Sequence, residues 1–140
     1  PKKIEAYKKF ANKLWNITRF VLENGLGDHT QAGGALVEEF DALAQDVTHE
    51  MELFHFHLAA EKLYHYVWDR FASEILEDSK TLLKGEDSAQ KAARQSELAY
   101  ILRGTLKLLH PFMPFITEEI WGSLPHNTQT LLMVESWPTK

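Results

Sequence analysis

The sequence has no cysteine. That excludes a disulfide framework and any thiolate-bound metal, and it suits a reducing cytosol. No apolar run approaches the ~20 residues of a membrane-spanning helix and no signal peptide is present, so no membrane partner is expected. There is no glycine-rich phosphate cradle, because "GLG" at 25–27 follows a helical stretch instead of joining a strand to a helix. "HEMEL" at 49–53 lacks the second histidine of a zinc-protease helix. No nucleophile and base form a recognisable pair, and no repeat or low-complexity segment recurs. The pattern therefore predicts no catalytic residue, no resident metal and no cofactor in this chain.

What is present is aromatic and helical. Four Trp, four Tyr and eight Phe give a chain of 140 residues ample apolar area for one core. The net charge of −5 argues at first against nucleic acid. Its distribution argues otherwise. In residues 1–24, Lys2, Lys3, Lys8, Lys9, Lys13 and Arg19 outnumber Glu5 and Glu23 by four, so the rest of the chain carries −9. A basic first helix on an acidic body is either a solvated face or a footprint for phosphates. The first residue is Pro1, not Met, and a single domain cut from a longer protein is expected over 1–140.

Apolar periodicity predicts five helices. The first covers 4–24, with Tyr7, Phe10, Leu14, Ile17 and Val21 in one stripe and Asn24-Gly25 as its stop. The second covers 35–53 on Leu36, Phe40, Leu43, Val47 and Met51, with a break near His55. The third covers 57–83 on Ala60, Leu63, Tyr64, Val67, Trp68, Phe71, Ile75 and Leu82. Ser88 is the expected cap of a fourth helix over 89–109, apolar nearly all round and so central. Pro111 ends it and Pro114 starts a fifth, lined by Ile116, Ile120 and Leu124. Phe112, Phe115, Ile116 and Trp121 are expected to fill the joint, with Glu118 and Glu119 in the new helix's first turn and 130–138 packing as an extended tail. The fold class is an all-α five-helix bundle.

Two constellations invite chemistry. His57, Glu61 and His65, four apart, share a helix face and are of metal-ligand type. They lie opposite the apolar stripe, so a solvated outer face is the favoured reading. In "NKLWNITRF" (12–20), Asn16 and Arg19 share a face beside Phe20. Amides and guanidinium groups read base edges, and a ring stacks on an unpaired base. The other reading places Phe20 in the core and gives the amides to the backbone.

"FANKLWNITRFVLEN" (10–24) and "LLHPFMPFITEEIW" (108–121) resemble the helical anticodon-binding domain of class I aminoacyl-tRNA synthetases for valine, isoleucine, leucine and methionine, and the valine enzymes are the nearest match. "LAAEKLYHYVWDRF" (58–71) and "LMVESWP" (132–138) extend the resemblance over nearly the whole chain. Glu74-Ile75 departs from the Trp-Tyr pair of many relatives. The family's two nucleotide-site signatures, His-Ile-Gly-His and Lys-Met-Ser-Lys-Ser, are absent. The resemblance thus implies a cytoplasmic, monomeric synthetase that uses ATP and magnesium in an upstream catalytic domain of the same chain. This fragment would bind the anticodon of a valine tRNA without activating valine. By position, the resemblance assigns tRNA contact to Asn16, Arg19 and Phe20, and to Lys80 near the end of the third helix. The alternatives are another enzyme of the subclass or a helical docking module that touches no RNA.

Overall fold

The computed structural model describes residues 2–125, 131–132 and 135–138. Their regular structure is entirely helical. The helices are α1 (Lys2–Glu23), α2 (Ala35–Glu52), α3 (residues 56–84), α4 (Ser88–Leu109) and α5 (Pro114–Ser123), with one 3-10 turn at His29–Gln31. Helix α4 touches all the others, and its second half, from Ser96 on, is buried on most sides, as its largely apolar sequence there requires. At Gly104 a β-carbon would lie 2.4 Å from the Phe40 ring, so only glycine lets α2 close onto α4.

The stops follow local chemistry. Gly25 takes φ +90° just after α1, the conformation glycine adopts without strain. The α2–α3 corner has no glycine. His55 N–H bonds Glu50 O and Phe54 N–H bonds Met51 O, a Schellman cap with Phe54 in the left-handed position at φ 62°. A bulky residue there costs about 1–2 kcal/mol. At the head of α4 the cap is Asp87, not Ser88. The acidic side chain accepts from the N–H groups of Ala89 and Gln90.

Helix α3 departs from simple periodicity. Phe56–His65 is α-helical, Tyr66–Ile75 is π-helical, and Leu76–Lys84 is α-helical again. Its buried line is Ala59, Leu63, Val67, Phe71, Ile75, Ser79 and Leu83, a strict four-residue repeat. On an α-helix of about 3.6 residues per turn, a four-residue step overshoots by about 40° and the line winds round the rod. The wider i→i+5 turns undershoot and return it to one side. The burial is thus centred one residue from the expected Ala60 and Tyr64. Helix α2 is rotated likewise, with Val37 and Ala44 buried and Leu36, Leu43 and Met51 only partly so.

The α4–α5 corner forms where the prolines place it. The N–H groups of Phe112 and Met113 both bond Leu109 O, and Thr117 N–H bonds Met113 O. Trp121 is 1% exposed and lies under Arg103, whose guanidinium sits 4.6 Å above the ring. Phe112, Ile116 and Trp121 fill the joint, but Phe115 points away and is 88% exposed. Glu118 lies beyond the first turn. Its carboxylate accepts the Leu132 N–H at 2.6 Å, and Trp137 Nε1 donates to Thr48, so the last segment is tied to α5 and α2. Residues 130, 133 and 134 of the expected extended tail lie outside the described residues.

Candidate nucleic-acid interface

Helix α1 has two faces. Phe10, Leu14, Ile17, Thr18 and Val21 are buried. Lys8, Lys9, Asn12, Asn16 and Arg19 are exposed at steps of three and four, so they form one ridge along the outside. Arg19 Nη2 donates to Asn16 Oδ1 at 2.7 Å, which joins the two residues paired by sequence. That bond uses one of five guanidinium donors and leaves the Asn16 amide N–H groups outward. Phe20 is half-buried against the core, so its ring is both packed and partly accessible. Lys80 stands on another rod, 49% exposed, with its ammonium 2.7 Å from Glu77 Oε1. Asn16 and Arg19 are thus brought together, with Phe20 one residue on, and Lys80 is not part of that group.

Periodicity alone does not reveal the stack beside this face. Lys13 Nζ sits 4.9 Å over the Trp68 ring. Trp68 stacks on Tyr64 at 5.8 Å and Tyr64 on Phe10 at 5.2 Å. The cation and a half-buried indole therefore lie beside the ridge, an arrangement suited to backbone and base contacts. The signal available in sequence was the Tyr64/Trp68 pair at four-residue spacing, which reads equally well as core.

Charge pairing separates α1 from its neighbours. Among the described residues no carboxylate comes within 4.0 Å of the Lys2, Lys3, Lys8 or Lys9 ammonium groups. On α2 and α3 Lys62, Arg70 and Lys80 are matched by carboxylates, and Lys84 at the end of α3 is not, among the described residues. Arg70 grips Glu39 with two bonds of 2.7 and 2.8 Å, and this holds the Glu39 carboxyl below its ordinary value. Lys62 bonds Asp46 at 2.9 Å and lies 3.8 Å from Glu50. The suspected metal group is drawn out in series. His57 and His65 lie 3.8 and 4.0 Å from opposite oxygens of Glu61, and His65 Nδ1 turns to Asp69 at 3.1 Å. No group of three such side chains among the described residues is arranged to hold a metal ion. No helix among them is long and apolar enough to cross a membrane.

Residues 34–140 match the model of the anticodon-binding domain of tRNA ligases. The chain belongs to that family. It is 39% identical to a valine–tRNA ligase of Bacillus cereus over 98% of its length, and 40% identical to that of Geobacillus stearothermophilus over 97%. The chain covers 17% and 16% of those two proteins.

Proposed function

We propose that this chain is the anticodon-binding domain of a valine–tRNA ligase, an enzyme that joins valine to its tRNA with ATP and magnesium. The observation that carries the reading is the Asn16–Arg19 pair on a ridge of unpaired lysines, in a chain of this family. An anticodon is single-stranded and exposes its Watson–Crick edges. Arg19 and Asn16 read those edges, the accessible part of Phe20 offers a stacking surface, and the α1 lysines hold the phosphates. Lys80 adds a cation from the end of α3. The acidic remainder faces away from the RNA.

The chemistry of adenylation belongs to the rest of such an enzyme. The donor set here does not fit ATP and magnesium, because both nucleotide-site signatures are missing and no carboxylate and histidine group converges among the described residues. The domain works as a monomeric unit of a longer cytoplasmic chain. Titration of the 140-residue chain with anticodon stem-loops tests the reading. The valine anticodon should bind most tightly. Preference for an isoleucine, leucine or methionine anticodon would assign it to that branch, and no binding to any would leave a docking module.

A further inference from the structure

The "GLG" motif at 25–27, which cradles no phosphate, has a place in the fold. Asn24 O, at the end of α1, accepts a 2.6 Å bond from Gln95 Nε2 of α4, 71 residues away in sequence. The Asn24 side-chain amide donates to Phe20 O at 2.9 Å, and the Asn24 backbone N–H donates to the same carbonyl. Gly27 permits this closure, because a β-carbon there would lie 2.5 Å from the backbone of Gln95 and Ser96. The last turn of α1, which carries Phe20, is therefore drawn onto a single side chain of α4. The preceding residue treats α3 in the same way. Arg94 Nη1 donates to Ser79 Oγ at 2.8 Å and to Asp78 Oδ2 at 3.1 Å. Ser79 is fully buried, and its hydroxyl donates to Ile75 O, which leaves the oxygen able to accept from Arg94. Lys80 is the next residue of that rod.

We propose that Gln95 and Arg94 are positioning residues, which set the end of α1 that carries Arg19 and Phe20 and the end of α3 that carries Lys80 as one surface for the anticodon loop. The inference rests on the reading of this chain as an anticodon-binding domain. Both residues stand just ahead of the apolar half of α4, whose buried residues begin at Ser96. Apolar packing is non-directional and lets helix ends shift, whereas hydrogen bonds fix where a backbone lies. Base-edge contacts need placement to within about 0.5 Å. A lysine on its flexible stem finds a phosphate with far less precision. Gln95 therefore acts on selectivity, through Arg19 and Phe20, and not on the general attraction of the lysine ridge. Lys80 stands apart from the Asn16–Arg19 pair, yet its rod is fixed from the same turn of α4.

The test is stem-loop titration of Gln95→Met, which keeps the length of the side chain and removes the donor. Gln95→Ala serves if that variant does not fold. Affinity for the valine anticodon should fall roughly three- to tenfold, the worth of one hydrogen bond. The ratio over an altered anticodon should fall with it. The slope of log affinity against log salt should match the parent's, since no phosphate contact is removed. In an Arg19→Ala background the same substitution should cost less than about twofold, because the chief contact it places is gone. Arg94→Met should lower affinity in the same way, and Arg94→Lys, which keeps a donor, should restore most of it. Ile101→Val, in the fully buried part of α4, is the control for stability alone. It should lower the melting point and leave affinity and ratio unchanged. Parent-like affinity and ratio in folded Gln95→Met, additive losses with Arg19→Ala, or equal losses in Ile101→Val would overturn the proposal and leave the anticodon reading intact. Failure of the parent chain to bind any stem-loop would overturn both.

Discussion

The outer faces of α1 and of the α2–α3 pair are built from similar residues and treated differently. On α2 and α3, Arg70, Lys62 and His65 each meet a carboxylate of the same face. On α1, Arg19 meets an amide, and Lys2, Lys3, Lys8 and Lys9 meet no carboxylate among the described residues. Exposed pairs of the first kind stabilise by at most about 1 kcal/mol each. An unmatched cationic ridge contributes nothing to the fold and attracts a polyanion. A net charge of −5 is therefore a poor guide to the partner of this chain, because many of the negative charges are engaged elsewhere.

The two faces of α1 should respond to substitution in opposite ways. Leu14, on the inner side, is fully buried, so Leu14→Ala should cost about 2–5 kcal/mol of stability in chemical denaturation. Arg19→Ala, on the ridge, should leave the melting curve unchanged, since its bond to Asn16 lies on the surface. It should weaken stem-loop binding roughly ten- to a hundredfold, the worth of about 1.5–3 kcal/mol for a hydrogen bond to a charged group. Replacing Lys8 and Lys9 together by Ala should weaken all stem-loops alike. The slope of log affinity against log salt should become shallower by about 0.7 for each phosphate no longer neutralised.

The smallest effect is expected on the paired face. Arg70→Met should cost under about 1 kcal/mol at neutral pH, because Glu39 is 40% exposed and its pair is screened. The Glu39 carboxyl is held below its ordinary 4.5. Its contribution is therefore present above that value and lost as pH falls through the lower, folded one. Parent and variant should converge in stability in acid, and their RNA affinities should match throughout.

Much of the fold was legible in the sequence, for physical reasons. Pro111 and Pro114 forbid a continuous helix, so the α4–α5 corner had to fall there. The largely apolar second half of α4 left it little solvent side. Asn16 and Arg19 were adjacent on any helix. The π-helical stretch was hidden because sequence windows assume 3.6 residues per turn, although the repeat from Leu63 to Ile75 held strictly to four. Phe115 was misplaced because an aromatic beside two prolines reads as filler for the joint, and its exposure depends on which way the corner turns. The Lys13–Trp68 contact is made from within the π segment, which a uniform 3.6-residue pattern does not anticipate.

If Asn16 and Arg19 read the anticodon and do not merely attract RNA, they must carry selectivity as well as affinity. The direct measurement is the affinity ratio of the 140-residue chain for two stem-loops that differ only in the anticodon, compared among parent, Asn16→Ala and Arg19→Ala. The parent should clearly prefer the valine anticodon, and both variants should show a reduced ratio with unchanged melting. An unchanged ratio in both folded variants would contradict this role and place the reading elsewhere on the domain.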